Sequence, residues 1–219
     1  MAQRDTEQLI GRLAAEVRPV RRLASPLRRA ALWLGFAVAV ITALVVLMAD
    51  HADLAYTLGR TDALIGWVAS LLTGAAAAVA AFHLALPDRS NRWALLPLPT
   101  AALWLAAMGA GCYIDWLRLG SNGLALGTSF SCLGFIVLVS LLLGVPMLLL
   151  VRHGLPVRPA ATAAIGGLAV ASLASAGLEL FHHLDTRIMV LVWHSGAIVL
   201  VAALGASASR ALTLRHAPQ

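Results

Sequence analysis

Six long apolar stretches, none of which contains an arginine, alternate along this chain with short segments that are rich or poor in arginine. The stretches cover residues 30–49, 64–86, 94–114, 128–151, 160–181 and 188–206. Each is close to the ~20 residues that an α-helix needs to cross a hydrocarbon core about 30 Å thick. The sequence therefore predicts an all-α fold, a polytopic bundle of six transmembrane helices.

The arginines between these stretches predict which way the bundle is oriented. From the N-terminus onward the segments hold seven, one, two, one, two, one and two arginines, so thirteen of the sixteen lie on one side. Positively charged flanks are retained in the cytoplasm. We therefore expect both termini to be cytoplasmic and the segments around Arg60, Arg118 and Arg187 to lie outside.

Composition limits the classes of function. The chain is 60% hydrophobic and 12% charged, and six spans across 219 residues leave no room for a soluble catalytic domain. The net charge of +6 comes wholly from arginine and is explained by the bias toward the inner side. The lipid bilayer is therefore the expected surrounding, and no nucleic acid is expected to bind directly.

The residues outside the membrane are concentrated in a cytoplasmic tail, residues 1–29, which precedes a transmembrane domain, residues 30–206, and a short C-terminal tail, residues 207–219. Asp5 and Gln8 resemble a helix-capping box, and Pro19 ends the helical pattern. Apolar residues lie between them at helical spacing: Leu9, Ile10, Leu13, Ala14 and Val17. This pattern predicts a short amphipathic helix.

A helix this short is marginal alone in water, so its apolar face needs a support. Three supports are open. The helix can lie on the membrane with Arg12 and Arg18 near anionic lipid, pack beneath the protein's own bundle, or enter a groove on another protein.

Specific sequence motifs then suggest a family. The tail reads Leu9-Ile10-Gly11-Arg12-Leu13-Ala14, Arg18-Pro19-Val20-Arg21-Arg22-Leu23, Pro26-Leu27-Arg28-Arg29-Ala30 and Trp33-Leu34. Later motifs are Cys132-Leu133, Pro146 followed by Arg152, residues 159–167, and Trp193-His194. In these motifs the chain resembles the NrsF family, the negative regulators of sigma F. The resemblance covers nearly the whole chain.

The resemblance implies a membrane-bound anti-sigma factor of the bacterial inner membrane, an interaction protein and not an enzyme. Such a protein holds an extracytoplasmic-function sigma factor through its inner tail until a stress signal arrives. The residues expected to bind the sigma factor are then Leu9, Ile10, Leu13, Val17, Arg12, Arg18, Arg21 and Arg22.

Two cysteines lie near the outer ends of spans and are candidates for redox sensing. Cys112 precedes Asp115 by three residues, and Cys132 is the fifth residue of the fourth stretch, so both are expected at similar depth. A disulfide is chemically allowed in an oxidising periplasm, although cysteines also serve as small packing residues. Some members of the resembled family have a cysteine where this chain has His182-His183.

Histidines on the same side suggest a metal-type signal. His182, His183, Asp185 and His194 are candidate ligands, and thiolate, imidazole and carboxylate together suit a transition-metal ion. No resident cofactor is expected. The alternative is that the loop histidines are solvated and that His194 hydrogen-bonds between helices. Because polar groups inside spans are costly, His194 and Glu179 are nonetheless read as functional.

Two other functions compete with regulation. A small transporter or channel would need intramembrane charges or broken helices, and Glu179 is the one acid available within the spans. A membrane redox protein would need paired histidines or a recognisable nucleophile and base. The identity of the sigma factor, the stress and the presence of a homodimer stay open.

Overall fold

The computed structural model describes residues 2–16, 23–152, 157–181 and 186–215. These residues form helices and connections, with no strand among them. The α-helices are α1 (Ala2–Glu16), α2 (Pro26–Met48), α3 (His51–Gly59), α4 (Thr61–Leu84), α5 (Leu98–Leu119), α6 (Phe130–Arg152), α7 (Pro159–Leu178) and α8 (Arg187–Arg215). Two short 3-10 helices, Asn91–Leu95 and Gly120–Leu124, flank α5.

Six of the described helices are long and apolar enough to cross a membrane, which confirms the predicted all-α bundle of six spans. These are α2, α4, α5, α6, α7 and α8. The first begins four residues earlier than the apolar stretch, because Ser25 caps it by accepting the Arg28 N–H and Pro26 fits the first turn. Arg28 and Arg29 therefore belong to this helix.

The amphipathic tail helix is present as α1, but its expected start is wrong. α1 begins at Ala2, so Asp5 lies inside the helix and does not cap it. The other tail residues expected to bind a sigma factor, Val17, Arg18, Arg21 and Arg22, lie outside the described residues.

A short helix, α3, follows the first span, in a segment that lies between two of the apolar stretches. Asp50 accepts the Asp53 N–H at 2.8 Å, and the Asp53 carboxylate accepts the Asp50 N–H at 3.3 Å. This reciprocal capping box explains why the segment turns into a helix directly after the span. Thr57 then ties α3 to the end of α7 by donating to the Glu179 carbonyl at 2.7 Å.

Helix α7 forms the centre of the bundle. Its residues 169–178 are all buried, and it packs against α2, α4, α6 and α8. Small residues permit this close packing. A Cβ atom added at Gly167 would lie 2.7 Å from the Ala202 Cα atom of α8, and one at Gly74 would lie 2.6 Å from the Leu173 Cγ atom.

Helix α8 lies between α5 and α6. In the described chain α5 packs on α4 and α8, and α6 packs on α7 and α8, whereas α5 and α6 make no extended contact with each other. Residues of these two helices that face α8 are therefore separated by it. We call the end of the bundle where α2 begins the tail side, and the opposite end, where α4, α6 and α8 begin, the far side.

Aromatic side chains join the helices on the tail side. The buried Trp33 indole donates a hydrogen bond from Nε1 to the Leu143 carbonyl of α6 at 3.0 Å. The Arg29 guanidinium lies over the Phe82 ring, 5.3 Å from its centroid. These contacts hold the start of α2 against α4 and α6.

Candidate functional site

A row of polar side chains crosses the far-side half of the bundle. His194 of α8 is 1% exposed, and its Nδ1 atom forms a hydrogen bond of 2.7 Å with the Ser175 Oγ atom of α7. The Glu179 Oε1 atom lies 3.6 Å from the same nitrogen. The Glu179 side chain is only 11% exposed, so it points into the bundle and does not reach out to the headgroups.

Cys132 of α6 lies near the same imidazole, and its thiol is fully buried. Its sulfur also accepts a hydrogen bond of 2.8 Å from the Ser129 hydroxyl, which lies just before α6. We call these five residues, Ser129, Cys132, Ser175, Glu179 and His194, the cysteine–histidine relay.

Two polar atoms of the relay are buried without a conventional hydrogen bond. They are His194 Nε2 and Glu179 Oε1, for which the described part of the chain supplies no hydrogen-bond partner, whether oxygen, nitrogen or sulfur. Unpartnered polar groups are costly inside a membrane protein and are usually retained for function. The relay is therefore the strongest candidate for chemistry within the described bundle.

The second cysteine lies in a different cluster on the far side. Cys112 of α5 is 9% exposed and close to Asp115 and Arg187. The Asp115 carboxylate accepts the backbone N–H of Arg187 at 2.8 Å, and the Arg187 guanidinium donates to Asp62 at 3.0 Å. Arg60 donates to Asp62 as well, at 2.9 Å. This arginine–aspartate cluster joins the ends of α4, α5 and α8.

The two cysteines are free thiols, so the disulfide that the sequence allows is not formed in the structure. The reason is the position of α8. Cys112 faces Arg187 and Cys132 faces His194, seven residues further along α8, which corresponds to roughly 10 Å along the helix axis.

The expected metal ligands are only partly testable. His182, His183 and Asp185 lie outside the described residues, and His194 is within the relay. Among the described residues no three histidine, cysteine, aspartate or glutamate side chains are grouped so that they could hold a metal ion. A metal signal at these positions stays a prediction.

The tail helix presents an uncovered apolar face. Leu9, Ile10 and Leu13 are 56%, 59% and 57% exposed, and none of the bundle helices packs extensively on α1 within the part of the chain that the structure describes. Of the three supports considered for this face, packing beneath the bundle is therefore not observed. The membrane surface and a groove on a partner are the two that are left.

Sequence reasoning named Cys132, His194 and Glu179 separately but missed that they form one site. It also missed Ser129 and Ser175, since serines are frequent in spans and give no signal by themselves. The spacing of Ser175 and Glu179, one helical turn apart on α7, was the available clue that both face the same neighbour.

Comparison with known proteins identifies the family. The model of the NrsF family, described as negative regulator of sigma F, matches residues 13–215. Comparison with curated proteins and with solved structures gives no match. Because the family match spans nearly the whole chain, the protein belongs to the NrsF family of negative regulators of sigma F.

Proposed function

We propose that this protein is a membrane-bound anti-sigma factor that holds an extracytoplasmic-function sigma factor at the bacterial inner membrane. The description of its family supports a negative regulator acting on a sigma factor and points away from an enzyme. The six candidate spans support a multi-pass membrane protein. Retention of the sigma factor at the membrane would keep it from RNA polymerase.

The single observation that carries this proposal is the uncovered apolar face of α1. Leu9, Ile10 and Leu13 lie on one face of a helix that is tethered to the bundle and not packed against it. An amphipathic helix with such a face fits an apolar groove on a partner protein. Arg12 would contact acidic residues at the edge of that groove, and we extend the binding segment to Val17, Arg18, Arg21 and Arg22.

The arginine distribution supports a cytoplasmic position for α1. The tail-side segments hold thirteen arginines, and two of the three far-side arginines, Arg60 and Arg187, are paired with Asp62. Pairing with a carboxylate reduces the exposed positive charge on the far side. Under the positive-inside rule both termini then lie in the cytoplasm, where a sigma factor is available.

Stress would be sensed on the far side, which this orientation places toward the periplasm. The relay around Cys132 and the arginine–aspartate cluster next to Cys112 both contact α8, and α8 runs from there to the tail side. We propose a redox signal at these thiols, with a transition-metal ion at His182, His183, Asp185 and His194 as the other signal. Either would shift α8 between two packing states that present α1 differently.

The experiment is a binding measurement with the intact, detergent-solubilised protein and its candidate sigma factor. Leu9→Asp and Leu13→Asp place a charge on the apolar face, and Ala15→Asp places the same charge on the opposite face of α1. Buried anchor residues commonly contribute 2 kcal/mol or more, so we expect each leucine variant to weaken binding by at least about tenfold.

The Ala15→Asp variant is the control for the two leucine variants. Ala15→Asp should bind within about threefold of the unsubstituted protein, because its side chain lies outside the proposed interface. Equal binding by all three variants would place the interface elsewhere, and failure of the unsubstituted protein to bind any sigma factor would refute the proposed function.

A further inference from the structure

An open cavity of about 580 Å³ lies on the tail side, in the connection between α4 and α5. Because this connection joins the tail-side ends of two spans, the cavity lies at the depth of the lipid headgroups. A ligand can therefore reach it from the membrane surface. The cavity is lined by Ser90, Arg92, Trp93, Leu95, Leu96 and Pro99.

The Trp93 wall of the cavity is held in place by α4. The Trp93 ring stacks on the buried His83 ring, with the ring centroids 3.8 Å apart and an angle of 19° between the planes. The His83 Nδ1 atom donates a hydrogen bond of 2.8 Å to the Val79 carbonyl oxygen, which fixes the imidazole in turn. This wall is therefore preorganised, and a ligand that contacts it does not have to order the indole on binding.

The rim of the cavity carries a net positive charge. Arg92 is exposed and has no carboxylate partner among the described residues. Arg158, at the start of α7, donates to the Arg89 carbonyl at 3.1 Å, which brings a further arginine to the edge of the cavity. The connection itself contains one acid, Asp88, whose side chain is 71% exposed. Three arginines therefore face one aspartate, and the rim favours an anionic ligand.

Polar and apolar groups occupy different parts of the cavity wall. The Ser90 hydroxyl oxygen accepts the Arg92 backbone N–H at 3.2 Å, so the hydroxyl proton can be donated to a ligand. The Arg92 guanidinium offers a planar pair of donors that fits a phosphate. Leu95 and Leu96 are 57% and 40% exposed and form the apolar part. A ligand that uses all of these groups combines a phosphate with an aliphatic chain.

We propose that this cavity binds an anionic phospholipid, with Arg92 and Ser90 on its phosphate and Leu95 and Leu96 along the start of an acyl chain. Basic pockets between transmembrane helices at the membrane surface bind such headgroups. The quaternary ammonium of a zwitterionic headgroup is repelled by the same arginines, so the site selects for net negative charge. The inference goes beyond the proposed function, because it involves neither the sigma factor nor the cysteines.

The tail helix α1 is the competing occupant within the chain. It has an apolar face and carries three acids against two arginines, so it also complements a basic and apolar cavity. In the described part of the chain, however, α1 makes no extended contact with the connection between α4 and α5. Lipid headgroups surround this level of the bundle, whereas α1 would have to fold back onto it. The lipid is therefore the favoured occupant.

The test titrates the full-length protein in detergent micelles with dioleoyl-phosphatidylglycerol and measures bound lipid by native mass spectrometry. Arg92→Gln should weaken the tightest binding by about fivefold or more, because it removes both a rim charge and a phosphate donor. Arg28→Gln is the matched control. It removes the same charge from an exposed tail-side arginine outside the cavity and should weaken binding by less than about twofold.

Further ligands and a second variant identify the source of the phosphate. Dioleoyl-phosphatidylcholine, which has the same chains, should bind more weakly and without dependence on Arg92. Inorganic phosphate should not displace phosphatidylglycerol, and complete displacement would make this a free-phosphate site and overturn the lipid proposal. Leu95→Gln should also weaken phosphatidylglycerol binding, and its melting temperature should be unchanged because Leu95 is exposed. This variant keeps the test decisive if Arg92→Gln does not fold.

Two other results would overturn the proposal. One is equal affinity for phosphatidylglycerol in Arg92→Gln and Arg28→Gln. The other is efficient disulfide formation between Leu13→Cys and Leu96→Cys together with lipid binding that does not depend on Arg92, since the tail helix would then be the occupant. Sigma-factor binding is measured on the same Arg92→Gln preparations and should be unchanged. Loss of lipid selectivity with intact sigma-factor binding would thus refute the lipid site alone.

Discussion

The close crossing of α7 and α8 makes Gly167 the residue whose substitution tests the packing most sharply. A Cβ atom in Gly167→Ala would lie 2.7 Å from the Ala202 Cα atom and 3.1 Å from the Ala202 nitrogen and the Val201 oxygen. Ordinary carbon contacts are about 3.5–4.0 Å, so the two helices must separate by about 1 Å. All three neighbours are backbone atoms, so no change of side-chain rotamer relieves the contact.

The magnitude follows from overpacking, which typically costs about 1–3 kcal/mol. Alanine also favours a helix over glycine by about 1 kcal/mol, and this gain would mask part of the loss. Gly196→Ala provides the matched control. Gly196 is on α8 with no heavy atom within 4 Å of an added Cβ, so it receives the helix gain without the clash. The difference between the two variants should therefore be about 1–3 kcal/mol.

The assay is unfolding of the purified protein in mixed micelles, followed by tryptophan fluorescence during heating or addition of a denaturing detergent. For a chain of this size the difference corresponds to a melting temperature about 2–12 °C lower in Gly167→Ala than in Gly196→Ala. Equal stability of the two variants would show that α7 and α8 do not cross this closely, and the geometry around the relay would then need revision.

Two further substitutions test contacts at opposite ends of the bundle. Trp33→Phe removes the buried hydrogen bond to α6 and should lower the free energy of unfolding by about 1–3 kcal/mol. Its control is Trp116→Phe, at a residue that is 47% exposed, which should change the free energy of unfolding by less than about 0.5 kcal/mol. Asp62→Asn removes the carboxylate partner of the largely buried Arg187 side chain and should destabilise the protein by about 1 kcal/mol in the same assay. Its control is Asp88→Asn, at a side chain that is 71% exposed, which should have no measurable effect on stability. Matching losses in a variant and its control would count against the corresponding contact.

Hydropathy predicted the spans well because each membrane-crossing helix is set by its own length and apolarity. It failed where local polar chemistry decides the structure. Asp50 and Asp53 start α3 through a capping box that a hydropathy average cannot detect, and Ser25 with Pro26 moves the start of α2 upstream. Within α1, Asp5 was a plausible cap, but the helix continues past it to Ala2.

The relay could not be predicted as a site because its residues meet only through the order of the helices. Cys112 and Cys132 lie on consecutive spans, which suggested that they are neighbours. The structure instead places α8 between those spans. Helix order and rotation depend on which small residues face each other, as at Gly167 and Ala202, and a single sequence does not show which faces meet.

The central claim is that α1 holds a sigma factor on the cytoplasmic side of the membrane. The most direct test mixes the purified candidate sigma factor with membrane vesicles that contain the protein, either inverted, so that the cytoplasmic face is outward, or right side out. After sedimentation we expect the sigma factor in the pellet with inverted vesicles only, and its loss from that pellet when the protein carries Leu13→Asp. Sedimentation with right-side-out vesicles, or with neither kind, would contradict the account.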